Sequence, residues 1–442
     1  MAEHGNSTFD LVRLPQEFVD RFTNPLARFL SIETLGGAVL LVATVAALAL
    51  ANSPWAQVFA NLWETSIGLR FGPVEFARSL RDWINDALMT LFFFLVAVEL
   101  KRELVLGELS SMRVAALSIS AAVGGMLVPA TIYLFLLPGA AGWGAVMATD
   151  TAFVIGALAL LGTRIPQTLR VFMLSLAIVD DIGAILVVAV AYSNDIVWPA
   201  LLGAGVAIAA IPVMARAGVR RVGVYFMAGC VVWLAFDASG VHATIAGVIV
   251  GLLTPARRWV SDKRLYAILN QVIAHPDPDD SGRTKDRETL QAAAIAARES
   301  LAPVERVQMT LHPWVDFFVM PLFALANAGL PLAVSHLDIA VTAAVTVALV
   351  VGKPVGVLSF CWLAVRTGIA IRPAELTWGV LAGGGAIAGI SFTMALFIAD
   401  LAFPDDLLDS AKMGILLASV LAAAIGLSLL AWFTKRKRAD TV

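Results

Sequence analysis

Residues 176–188 read LAIVDDIGAILVV, with two adjacent aspartates, Asp180 and Asp181, at the centre of an apolar run that extends from about residue 170 to 192. An apolar run of about 17 to 25 residues is long enough to cross the hydrocarbon core of a bilayer as one helix. An ionisable group in the middle of such a helix is costly, and those that occur there mark functional sites. Neighbouring residues on a helix point about 100° apart, so one carboxylate faces a cavity while the other turns toward an adjacent helix. Two carboxylates this close, partly withdrawn from water, cannot easily both be ionised, and their titrations are coupled. Protons neutralise such a pair in one state, and a hard cation that prefers oxygen ligands replaces them in another. A helix-packing pair satisfied by Ser or Thr neighbours is the competing reading. Two consecutive aspartates in LAIVDDIGAIL, with no basic residue beside them, argue against it.

The rest of the chain belongs to the same solvent. Of its 442 residues 59% are hydrophobic and 14% charged, where soluble domains carry about 25% charged residues. The mean hydropathy is +0.84. The expected fold is all-α and polytopic, with twelve transmembrane helices over about 31–51, 83–100, 114–137, 143–162, 170–192, 197–215, 222–237, 240–254, 313–333, 338–364, 376–400 and 411–433. Asp237–Gly240 alone separates the seventh span from the eighth. Lys and Arg fall on alternate loops, as the positive-inside rule requires. One side holds Lys101, Arg102 and Arg113, Arg164 and Arg170, Arg216, Arg220 and Arg221, Arg257 and Arg258, Arg366 and Arg372, and the terminal Lys435-Arg436-Lys437-Arg438. The opposite loops near 138–142, 193–196, 237–240 and 331–338 have neither residue type. Arg13, Arg21 and Arg28 place the N-terminus on the basic side, so both termini are expected in the cytoplasm and the span number even.

The organisation expected from this pattern is a cytoplasmic segment 1–30, a transmembrane unit 31–433 and a basic cytoplasmic tail 434–442. The N-terminal segment lacks the apolar core of a cleaved signal peptide, so the first span is expected to act as its own signal. Residues 55–80 carry a Phe71-Gly72-Pro73 turn between β-prone arms and are expected to form an external hairpin, as a plain surface loop or a dimer contact. Residues 256–310 read as a cytoplasmic loop with a polar HPDPDDSGRTKD centre and an amphipathic helix over 286–300. Cys230 and Cys361 lie inside apolar runs, where they behave as small hydrophobes.

Other charged groups share the depth of the aspartate pair. Asp150 stands near the middle of the fourth span in Ala148-Thr149-Asp150-Thr151, and Lys353 stands in VVGKPVGV of the tenth. Lys353 either neutralises an aspartate or faces the negative ends of interrupted helices. Thr149, Asp150 and freed backbone carbonyls supply oxygens for a partly dehydrated sodium ion. The eleventh span contains Gly383-Gly384-Gly385, then Gly389 and Ser391. Polar or glycine-rich breaks at this depth are tolerated where backbone lines a cavity or is buried in protein. Spans 3–5 and 10–12 run in opposite senses, each with an interrupted helix, the fourth and the eleventh, at its centre. That pairing is the sequence mark of inverted-topology repeats around a midplane site.

At this point the chain resembles the NhaA-type bacterial sodium/proton antiporter family. The matching segments are FFFLVAVELKREL (92–104), ATDTAFVIGALALLG (148–162), LAIVDDIGAI (176–185), SGVHATIAGVIVG (239–251), LHPWV (311–315), PLFALANAG (321–329), VGKPVG (351–356) and SFTMALFIA (391–399), in family order over nearly the whole chain. The resemblance implies alternating access, with Asp180 and Asp181 binding sodium or lithium and protons, Thr149 and Asp150 at the helix interruption and Lys353 facing them. It implies electrogenic exchange in which more protons than sodium ions move, extruding sodium for pH and sodium homeostasis in the bacterial inner membrane. It also implies a homodimer paired through the 55–80 hairpin. No cofactor and no nucleic acid are expected; the partners are membrane lipid and a second copy.

Glu99, Lys101, Arg102 and His312 match the family's cytoplasmic pH-responsive region, but Gln308 stands where the best-known member has a glutamate, and Met309 stands at a histidine position. The loop at 256–310 is longer than the family requires. His242 and His312 read as packing or turn residues, since neither has metal-ligand neighbours. Two rival classes fit less well. An intramembrane aspartyl protease carries a GxGD motif that Asp150, Asp180 and Asp181 all lack. A channel shows filter loops or charge rings from several subunits, whereas adjacent acids on one internal helix suit exchange.

Overall fold

A computed structural model describes residues 33–71, 74–105, 107, 112–192, 196–217, 222–256, 258–273, 284–331 and 337–439. The N-terminal segment 1–30, Gly72-Pro73 of the hairpin turn, most of the polar centre 275–286 and the last residues of the tail lie outside them. Among the described residues the protein is helical except for one two-stranded sheet. Among the described residues eight helices are long and apolar enough to cross a membrane, or up to ten if each of two bent pairs is one span.

In chain order the helices are α1 (Glu33–Ala51), α2 (Ala56–Glu64), α3 (Leu80–Val105) and α4 (Met112–Leu136). A 3-10 segment, Ala141–Val146, leads into α5 (Thr151–Leu160) and α6 (Gln167–Ala191). Next come α7 (Trp198–Arg216), α8 (Val222–Asp237) and α9 (Ile245–Leu253), the last two too short to pass the same test alone. The stretch read as a cytoplasmic loop holds α10 (Asp262–Ile273) and α11 (Thr284–Glu299), the latter where an amphipathic helix is expected. Last are α12 (Pro303–Asn327), α13 (Ile339–Arg366), α14 (Trp378–Ile387), α15 (Phe392–Ala402) and α16 (Asp405–Ala439). Helix α12 starts ten residues before the apolar run at 313, because its first turns are amphipathic and present Val304 and Gln308 inward.

Strands β1 (Ser66–Phe71) and β2 (Val74–Ser79) pair antiparallel, Ser66 opposite Ser79 and Phe71 opposite Val74. Arg78 of β2 moors this hairpin by pairing with Asp86 of α3 and Asp237 at the end of α8.

Three features of the helices position the site. Helices α4 and α13 cross backbone to backbone, since a Cβ on Gly124 would lie 2.3 Å from the Gly356 carbonyl and one on Gly356 2.1 Å from the Gly124 carbonyl. Small residues allow this approach between membrane helices. A π-turn, Ala348–Gly352, precedes Lys353. Pro354 has no N–H to give to the preceding turn, so the helix widens just before Lys353. Finally, the helical path breaks over 147–150 and over 388–391, and α14 and α15 meet at 50°.

Candidate functional site

The two breaks lie against each other. Asp150 donates its N–H to the Ile390 carbonyl at 2.8 Å, and the Ser391 hydroxyl donates to the Ala148 carbonyl. Each broken backbone thus satisfies part of the other, which is how non-helical chain survives in an apolar interior. The Asp150 carboxylate, 1% exposed, serves both half-helices. One oxygen accepts from the Phe153 N–H at 3.3 Å and caps α5; the other accepts from the Thr393 N–H at 2.8 Å, near the start of α15, and from the Thr393 hydroxyl. A single carboxyl group therefore faces two helix N-termini, the ends that favour an anion.

Asp180 and Asp181 sit at midlength of α6, 0% and 2% exposed. Thr149 Oγ1 donates to Asp180 Oδ2 at 2.6 Å, with the Ala388 carbonyl 3.1 Å from the same hydroxyl. Lys353, fully buried, donates to Asp180 Oδ2 at 2.7 Å, to Thr149 Oγ1 at 2.8 Å and to the Met147 carbonyl. The three ammonium protons thus meet three acceptors. Asp181 has weaker support, with Thr151 Oγ1 3.4 Å from its Oδ2. Asp180 Oδ1 and Asp181 Oδ1 have no hydrogen-bond partner among the described residues.

The structure thus gathers Thr149, Asp180, Asp181 and Lys353 into one cluster and places Asp150 beside it as a helix cap. Lys353 pairs with Asp180 and Thr149, while Asp150 faces the two helix N-termini. The Lys353 ammonium pairs with an aspartate and also binds the Met147 carbonyl at the C-terminal end of the 3-10 segment. Sequence reasoning missed Thr393 and Thr151. Their signal was faint but present, since each is a hydroxyl residue within two positions of a break.

Glu99, Arg102 and His312 meet at the far end of α3. Gln308 Nε2 donates to Glu99 Oε1 at 3.1 Å, while Gln308 Oε1 accepts from Arg102 at 2.9 Å. His312 lies between Glu99, 3.4 Å from Nε2, and Asp316, 2.8 Å from Nδ1. Lys101 turns away to the Leu252 carbonyl at 3.0 Å.

Comparison with known proteins gives a consistent picture. A profile of the family described as Na+/H+ antiporter 1 matches residues 27–430. Over 440 residues the chain is 58% identical to Na(+)/H(+) antiporter NhaA 1 of Acidiphilium cryptum, with 99% of this chain and 98% of that one covered. It is 55% identical over 432 residues to Na(+)/H(+) antiporter NhaA of Rhizobium meliloti, covering 97% and 99% of the two chains. Over 436 residues it is 50% identical to Na(+)/H(+) antiporter NhaA 2 of Vibrio vulnificus, with 98% of each covered.

Proposed function

The chain belongs to the Na+/H+ antiporter 1 family, and on that premise we propose that Asp180 and Asp181 are the groups on which sodium and protons compete. It is a multi-pass membrane protein and a transporter of sodium and protons rather than an enzyme. The observation that carries the proposal is the imbalance at the cluster. Two buried carboxylates share one ammonium, and each keeps an oxygen with no hydrogen-bond partner among the described residues. A buried carboxylate oxygen without a partner is costly in an apolar interior. Proton binding removes the charge, and a dehydrated sodium or lithium ion offers the oxygens a ligand.

In this reading Asp181 takes up the cation with Asp180, while Thr149 and Thr151 supply neighbouring hydroxyls. A cation on Asp180 competes with Lys353 for the same carboxylate. Displacing the ammonium also loosens its hold on Thr149 and on the Met147 carbonyl, so occupancy is felt directly by the backbone of the broken helix. Asp150 holds the two half-helices against each other in both states. The crossing of the breaks supports inverted repeats formed by spans 3–5 and 10–12 within a twelve-span fold, and alternating access by tilting of one set against the other. We place both termini in the cytoplasm of the bacterial inner membrane, assign Glu99, Arg102 and His312 to the pH response, and assign pairing with a second copy to the 55–80 hairpin.

The test uses everted membrane vesicles holding the protein, in which respiration has set up a pH gradient. Adding sodium or lithium should collapse that gradient between neutral and alkaline pH. Asp180→Asn and Asp181→Asn should each reduce the collapse to background while the protein still inserts in the membrane. Wild-type rates in either variant would remove that aspartate from the site, and a wild-type protein that never dissipates the gradient would end the proposal.

A further inference from the structure

Tyr192 directly follows α6, the helix that carries the aspartate pair, and stands at its C-cap. Its hydroxyl reaches the 3-10 segment, donating to the Ala141 carbonyl at 2.6 Å and accepting the Gly144 N–H at 3.1 Å. Those are the acceptor and donor that an i→i+3 bond joins, so the hydroxyl grips one turn of this segment at both edges. The Tyr192 ring lies 6.2 Å from that of Trp143. A Cβ on Gly144 would sit 2.8 Å from both Tyr192 Cε2 and its hydroxyl, so a methyl there must displace the end of that side chain. A Cβ on Gly142 would strike the ring of Phe403, just past α15, at 1.9 Å.

The other end of the segment leads to Met147, whose carbonyl is held by Lys353. The segment is therefore suspended between two fastenings of different kinds. The Lys353 ammonium also binds Asp180 and Thr149, so its hold depends on what occupies the pair. Among the described residues the Tyr192 hydroxyl hydrogen-bonds to backbone alone. We propose that Tyr192 is a positioning residue for transport, the fixed pin that ties the outer half of the broken helix to the aspartate helix while its inner end is released by cation binding. With the pin in place, release at Met147 swings the inner end and carries Thr149 relative to Asp180. Without it the whole segment drifts, and Thr149 loses register with the pair.

This inference rests on the assignment of Asp180 and Asp181, so the experiment includes wild type and Asp180→Asn as references. Reconstituted Tyr192→Phe keeps the ring and deletes only the hydroxyl. The expected result is a three- to tenfold rise in the half-saturating sodium and lithium concentrations, with maximal rate per folded protein held within twofold and the thermal midpoint near wild type. A purely structural role gives the reverse split, a lower yield or maximal rate at unchanged half-saturation, and that result overturns the proposal. Gly144→Ala, which pushes the hydroxyl aside, should raise half-saturation by a similar factor. If both act through one contact, the double variant should be no worse than the weaker-binding single; multiplied defects would show two independent effects and refute the pin. Wild-type exchange in Asp180→Asn would instead mark failure of the site assignment, and an inactive wild type failure of the proposed exchange itself.

Discussion

At the scale of single residues, Lys353 and Asp180 form a buried ion pair, both 0% exposed in their side chains and 2.7 Å apart. Such pairs are strongly destabilised when one partner is removed, by about 3–5 kcal/mol, because the other charge is left buried alone. Removing both charges returns most of that loss. Lys353→Gln should accordingly lower the thermal midpoint of the detergent-solubilised protein sharply, and the Asp180→Asn, Lys353→Gln double variant should recover a large part of it. Exchange should stay at background in the double variant, since no carboxylate remains at position 180 to take a proton or sodium. Recovery of exchange along with stability would mean that the pair is structural and that Asp181 works without it. The partner of Lys353 was not legible in the sequence, because residues 173 apart meet only through the fold and Asp150 stands at the same depth. Gln308 is similar. The sequence displays the amide as a departure from the family, while the structure gives its consequence, one neutral side chain that donates to Glu99 and accepts from Arg102.

At the scale of elements, the break at 147–150 was legible from the polar Thr149-Asp150-Thr151 in an apolar span, and the one at 388–391 only approximately, because Gly383-Gly384-Gly385 lie in the regular helix before it, where they serve close packing, and Gly389 alone falls in the break. The mutual satisfaction of the two breaks was not legible, since it depends on two segments some 240 residues apart coming into register. Asp150 is the residue in which that register is stored. Asp150→Ala leaves the first turn of α5 without its cap and the Thr393 N–H and hydroxyl without an acceptor. A lost cap costs about 1 kcal/mol and each of the two buried unpaired donors about 1–3 kcal/mol, for a total near 3–7 kcal/mol. Asp150→Asn retains one oxygen for one half-helix and turns an NH2 toward the other, so it should cost roughly half as much. Thermal unfolding in detergent should thus rank wild type above Asp150→Asn and Asp150→Asn above Asp150→Ala. Equal midpoints for the two variants would show that capping of both half-helices by this carboxylate contributes nothing. Element boundaries departed from the apolar runs at α9, which starts at Ile245, at α16, which starts at Asp405, and most at α12, where amphipathic turns before residue 313 carry Gln308 and His312 to Glu99 and escape a search for apolar length.

At the scale of the whole molecule, the proposed chemistry fixes how the exchanger responds to voltage. If both aspartates load protons in one state and share one sodium ion in the other, each cycle moves two protons inward for one sodium outward, and one net positive charge crosses with the protons. A unit charge crossing the membrane gains about 2.3 kcal/mol per 100 mV. With no pH difference, an interior-negative potential of about 60 mV therefore supplies about 1.4 kcal/mol per cycle, which corresponds to a tenfold ratio. Proteoliposomes clamped at that potential with a potassium ionophore, buffered equally on both sides and loaded with trace sodium, should drive sodium outward until its concentration outside is about tenfold higher. Reversing the potential should reverse the gradient, and collapsing it should return sodium to equality. One-for-one exchange moves no net charge and leaves sodium equal across the membrane at every clamped potential. That outcome would leave the aspartate pair in place as the binding site but would require that only one of its two carboxylates changes protonation in the cycle, with the other held ionised by Lys353 throughout.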